Sequence, residues 1–192
     1  MGPEHERIEV RSRAELRAWL AANHGQPQSI WLVNYKKPSP WHVPYGDIVD
    51  EVLCFGWIDS QPRLLDEARS MLRLSPRKPK SGWSKVNKDR IERLIADGLM
   101  AAPGLARIEE AKRSGTWTLL DAASSEALPP DLTEAFSRHP GAEQNFADFP
   151  PSTRRATLEW ITLARRPETR AARIEQTASL AARGERANQW SK

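Results

Sequence analysis

The stretch Arg73-Leu-Ser-Pro-Arg77-Lys78-Pro-Lys80-Ser-Gly-Trp83-Ser84-Lys85 gathers the residue types that bind anions. Its prolines and Gly82 keep the chain open, its lysines and arginines neutralise phosphate, and a helix opening near Ser84 presents free amides and the positive end of its dipole. Trp83 can stack on a base or another planar group. Asn87 and Arg90, in the first turns of that helix, extend the candidate anion-binding set. The competing interpretation is a solvated basic loop whose charge is balanced by Asp59, Asp66 and Glu67 while Trp83 fills the core. Asn87 would then bond only a local backbone carbonyl, and Arg90 would pair with a carboxylate such as Asp59 or lie along the surface.

Two carboxylates, Glu51 and Asp59, are the acid/base candidates if the chain is instead a small enzyme that anchors a phosphate- or carboxylate-bearing substrate on the basic loop. Asp47, Asp50 and Glu51 share one helix side at a spacing used by carboxylate metal sites, but a solvated face opposite Ile48 and Val52 has the same spacing. Cys54, between Leu53 and Phe55, fits a small buried apolar residue, with no histidine near it in sequence to act as a base. His5, His24, His42 and His139 are scattered without ligand spacing, and are expected at the surface and in turns. No phosphate loop, nucleophile elbow or paired-cysteine motif is present. We therefore assign no catalytic residue, no metal ligand and no cofactor from the sequence.

Elements that would position these groups follow from periodicity. Ser12-Arg-Ala-Glu15 is a capping box that predicts a helix over about Arg13–Asn23, with Leu16, Trp19 and Leu20 on one face. Ser29–Lys37 predicts a strand buried on both faces. Tyr45, Ile48, Val49, Val52 and Leu53 mark a second helix, stopped by Gly56. Gly56–Ser60, Arg63–Leu65 and Met71–Leu74 are short apolar pieces, expected to form antiparallel strands beside the Trp31 strand. The helix after Ser84 has Val86, Ile91, Leu94 and Ile95 as its apolar face, and a further helix carries Leu105, Ile108 and Ala111 up to Gly115. Asp121–Pro130 is the best linker candidate. Helices at about Asp131–Arg138, Gly141–Asp148, Thr153–Arg165 and Pro167–Arg183 follow. The expected fold class is α+β: a small antiparallel sheet packed with helices over residues 1–120, then an all-helical region over 121–192.

At 192 residues, with 39% hydrophobic and 28% charged residues and eight tryptophans, the chain is long and apolar enough for a packed core. A single cysteine excludes an internal disulfide and a paired-cysteine zinc site. With no signal-peptide pattern near Met1–Arg17 and no apolar run of membrane length, a cytoplasmic protein without membrane contact is expected. The net charge of +4 is uneven: residues 63–93 hold ten Lys/Arg against four Asp/Glu, and residues 154–186 hold eight against four. In the second zone, Arg165, Arg166, Arg170 and Arg173 can be neutralised along the helix by Glu159, Glu168 and Glu175.

Residues 49–100, from VDEVLCFGWIDSQ through GWSKVNKDRIERLIADGLM, resemble the YdeI/OmpD-associated, or bacteriocin-protection, family. Similar segments are AWL…IWLVNYKK, Gly115-Thr-Trp117, Thr162–Glu168 and Ala171–Arg173. The resemblance implies an α+β core followed by a helical C-terminal region, and it supplies no catalytic residues. The function expected from the sequence is non-enzymatic binding of an anionic partner, nucleic acid or a phosphorylated small molecule. The alternatives are the small enzyme above and a stress-associated interaction module that docks a protein through its C-terminal helices. The oligomeric state is left open.

Overall fold

The computed structural model describes residues 6–125 and 127–188, so His5 and Trp190 lie outside the described residues. The chain divides into two compact units. One comprises the residues up to Ser81 together with Val86–Trp117; the other comprises Gly82–Lys85 and the residues from Thr118 onward.

The first unit is α+β. Its strands are β1 (Arg7–Glu9), β2 (Ile30–Tyr35), β3 (Trp57–Leu64) and β4 (Arg69–Pro76), and its helices are α1 (Arg13–Asn23), α2 (Tyr45–Cys54), α3 (Lys85–Ala96, from Val86 in this unit) and α4 (Ala102–Ser114). The sheet order is β1-β2-β4-β3. It is mixed rather than wholly antiparallel as expected, because β1 pairs parallel to β2. That strand is three residues long with only Ile8 buried, too short for periodicity to reveal.

The two apolar pieces after Gly56 are one strand. β3 continues through Pro62 with a register shift between Asp59 and Pro62. An edge position tolerates both, since proline's missing N–H costs no ladder bond there and a bulge needs no second partner. Strand alternation then divides the chemistry. Asp59 stands opposite Leu74 and Pro62 opposite Leu72, on one face; Ile58 stands opposite Ser75, and Arg73 opposite Trp31, on the other.

Helix α1 forms as its capping box predicts. Ser12 Oγ accepts from Glu15 N at 3.1 Å, and Glu15 accepts from Arg11 N at 2.8 Å. Leu16 and Leu20 are fully buried, each contributing about 2 kcal/mol by the usual area scale. α2 is buried over the whole run Ile48–Cys54. On α3 only Ile91 and Leu94 are buried; the expected face is narrower, with Val86 and Ile95 about half exposed. Two glycines set the spacing of α2, β3 and α4. Gly56 turns the chain at φ +74°, and a Cβ on Gly104 would lie 2.2 Å from Cys54 O.

The second unit is helical: α5 (Asp121–Ser124), α6 (Pro130–Arg138), α7 (Ala142–Ala147), α8 (Pro151–Thr162) and α9 (Pro167–Ala182). Its core joins Leu132, Phe136, Phe146, Leu158, Ile161 and Ile174. The start of the expected linker is folded here, because Ala123 is buried in this core. Arg170 pairs with Asp131 at 2.7 Å, Glu175 takes Arg138 and His139, and Arg173 lies over Trp160 and bonds its carbonyl. In the second basic zone Arg170 thus meets a carboxylate from another helix and Arg173 meets a tryptophan, while Glu175 serves Arg138 and His139 outside the zone. No helix among the described residues is long and apolar enough to cross a membrane.

Candidate functional site

A cleft of about 660 Å³ opens in the first unit, walled by the end of α1, the α2–β3 turn, β3, the end of β4 with its following loop, and the start of α4. Four cationic side chains line it: Arg73, Arg77, Lys78 and Arg107. No Asp or Glu stands among the described lining residues. Serines complete the polar wall, with Ser29 Oγ and Ser75 Oγ 2.8 Å apart and Arg73 Nη2 donating to Ser29 at 3.5 Å.

Each cation is placed by its element. Arg73 reaches the cleft because alternation puts it on the same face as Ser75. Its Nε is buried and has no hydrogen-bond partner among the described residues. Arg77 follows β4, anchored by its backbone N–H to Gly56 O at 3.0 Å. Only 3% exposed, it has its pKa pushed down to about 10 by burial. It therefore stays charged at neutral pH. Arg107 comes from α4, and its aliphatic stem crosses Gly56, where a Cβ would meet Arg107 Cγ at 2.7 Å. Its head is held by Glu110 at 2.8 Å.

Of the residues singled out in the sequence, Arg73, Arg77 and Lys78 come together here; Lys80, Trp83, Ser84, Lys85 and Asn87 are not among the lining residues. Trp83 is 2% exposed and cannot offer its face to a base in this structure. No residue of α3 lines this cleft, whose cations come from the end of β4, the loop after it and α4. Arg107, Ser29 and Gly56 carried no local signal of their part in it.

Arg90 is engaged elsewhere. It donates to Asp50 at 2.7 Å rather than to Asp59, and Arg93 takes the other Asp50 oxygen at 2.6 Å. Glu51 is likewise shared, by Arg13 at 2.6 Å and Arg17 at 2.8 Å. Asp50 and Glu51 are 4% and 2% exposed. The helix side read as a solvated or metal-binding face is therefore a buried ion-pair network linking α1, α2 and α3. Among the described residues no His/Cys/Asp/Glu group could hold a metal ion. Burial pushes the Asp50 pKa up, but hydrogen bonds from Arg93 and Arg90 outweigh it and leave the net value lowered. The two acid/base candidates are not brought to the basic cleft. Glu51 is locked in the network, and Asp59 lies on the opposite sheet face, accepting from Tyr45 at 2.7 Å.

These features define a two-unit protein whose α+β unit carries a cationic cleft and whose other unit is a helical bundle. Residues 8–107, just over half of the chain, match the family model of a domain of unknown function, DUF8412, and the chain belongs to that family. Residues 127–184 match the family described as bacteriocin-protection, YdeI or OmpD-associated. All cleft residues fall in the first match, and α6–α9 in the second. The resemblance read at residues 49–100 thus lies wholly under the first model, while Thr162–Glu168 and Ala171–Arg173 lie under the second. No curated protein and no solved structure matches the chain.

Proposed function

We propose that the protein binds a small, multiply charged anion, such as a phosphate-bearing metabolite, in the cleft formed by Arg73, Arg77, Lys78 and Arg107. The observation that carries this is the lining: four cations, one of them buried, with no carboxylate among the described lining residues, Glu110 reaching Arg107 from outside the wall. Arginine forks and serine hydroxyls suit phosphate oxygens, and each charge-assisted bond contributes about 1.5–3 kcal/mol. The cleft volume falls within the usual range for small-molecule sites.

A small ligand is favoured over nucleic acid because Trp83, the stacking candidate, is buried. Binding is favoured over turnover because Glu51 and Asp59 stand away from the cleft. Docking of a protein on the C-terminal helices has less support, since the exposed large apolar residues of that unit number two among the described residues, Leu119 and Leu163.

Thermal unfolding with pyrophosphate against sodium chloride at matched ionic strength tests the proposal. At a hundredfold excess over Kd, a specific ligand adds about 2.7 kcal/mol of stability. A rise in Tm with pyrophosphate, absent in Arg73→Gln/Arg107→Gln, is expected. No rise, together with salt-sensitive binding of an oligonucleotide, would replace the small ligand with nucleic acid.

A further inference from the structure

A second and smaller cavity, of about 340 Å³, lies on the sheet face opposite Arg73 and has a different chemistry. Its wall is largely apolar, from Ile48 of α2, Pro62 of β3, and Met71 and Leu72 of β4. Its polar groups are Asn34, His42, Tyr45 and Asp59, with Ser60 and Ser70 at the strands. Asn34 is spent on the fold, since its amide donates to Val43 O at 2.8 Å and its carbonyl accepts from Val43 N at 3.1 Å.

The remaining three have fixed polarity. His42 Nδ1 lies 2.7 Å from Tyr35 O. A carbonyl only accepts, so Nδ1 carries the proton, and Nε2 is the acceptor of the neutral ring. Tyr45 O–H donates to Asp59 Oδ2 at 2.7 Å. Desolvation, reinforced by that bond, pushes the Tyr45 pKa up to about 12, so the phenol keeps its proton at neutral pH and Asp59 is the acceptor. Arg90 acts on Tyr45, but its charge is matched by Asp50 at 2.7 Å. Among the described lining residues there is no Lys or Arg.

We propose that this cavity is a second ligand site, independent of the basic cleft, for a small molecule with a compact apolar body and a primary ammonium group. The ammonium is held by the Asp59 carboxylate, positioned by Tyr45, while the body rests on Ile48, Pro62 and Leu72. The register shift between Asp59 and Pro62 lets one strand serve both sites. Ser60, inside the shift, lines both the basic cleft and this cavity.

The test uses three probes of one shape, benzylamine, benzyl alcohol and phenylacetate, titrated into the full chain while amide chemical shifts are followed. Benzylamine is expected to shift the amides of Asp59, Met71 and Leu72, with benzyl alcohol and phenylacetate weaker by about tenfold or more, as loss of a charge-assisted bond implies. Asp59→Asn, nearly isosteric at a half-buried position, should lose this preference, whereas Arg73→Gln should keep it. Equal binding of the three probes, no binding of benzylamine, or an unchanged preference in Asp59→Asn would overturn the proposal. Should Asp59→Asn fail to fold, the discrimination among probes by the unaltered chain decides alone.

Discussion

Two regions of the first unit each collect four cationic side chains, and they do opposite things with them. In the network across α1, α2 and α3, Arg13, Arg17, Arg90 and Arg93 converge on two buried carboxylates, Glu51 and Asp50. In the cleft, Arg73, Arg77, Lys78 and Arg107 converge with no carboxylate in the described lining. Charge matched within the network holds helices together; the cleft gathers cations on a wall that carries no acid of its own, which favours an external anion there even though Glu110 bonds Arg107 from outside that wall. Net charge alone hides the distinction, because both regions are rich in arginine.

The largest expected effect comes from breaking the network. Glu51→Ala removes the charge-assisted bonds from Arg13 and Arg17 and should cost about 2–4 kcal/mol in chemical denaturation, short of a fully buried pair because both arginines are partly exposed and Arg13 keeps Asp47. Where enough folded protein remains, its response to pyrophosphate should persist. A loss below about 1 kcal/mol, typical of a surface pair, would place the network with ordinary surface charges.

Next in size is the scaffold of the cleft. Gly56→Ala introduces a side chain at φ +74° against Arg107, so a stability loss of about 1–3 kcal/mol should come with weakened anion binding. If anion affinity survives intact, Arg107 does not depend on that close approach.

A binding effect is expected at Arg77. Arg77→Met removes a buried cation of the cleft while keeping much of its apolar stem, so the response to pyrophosphate should fall. A large stability loss without change in affinity would assign Arg77 to structure alone.

Acid titration gives the smallest effect. The folded-state pKa of Asp50 is lowered below the ordinary 3.8, so its contribution is fully present above that value and is lost as pH falls through the folded pKa. Stability should therefore decline below about pH 4, and Asp50→Asn should flatten part of that decline, while Arg73→Gln leaves it in place.

How much of this was legible in the sequence depended on the range of the interactions. The span of α1 was readable because Ser12 and Glu15 satisfy the helix start within four residues. α2 was readable from apolar periodicity, and the bounds of α6 and α9 from the prolines that mark the turns between helices. Asp50 and Glu51 misled because their partners, Arg13, Arg17, Arg90 and Arg93, lie 34 to 43 residues away in sequence, where no local rule reaches. β3 looked like two pieces because Pro62 breaks a central strand but not an edge strand. The basic loop was legible as a source of charge, and Arg73, Arg77 and Lys78 do line a cleft. Its real wall was not: strand register chose Arg73, and a glycine turn admitted Arg107 from α4. The helix start and Trp83 had the right residue types, but the cleft is built without them.

The most direct test of the central claim is calorimetric titration of pyrophosphate into the unaltered chain, Arg73→Gln and Arg93→Gln in one buffer. The account predicts that Arg73→Gln weakens binding by about tenfold or more through loss of a charge-assisted bond, while Arg93→Gln, altered only in the network, binds as the unaltered chain does. Equal affinity in all three, or a loss confined to Arg93→Gln, would contradict it.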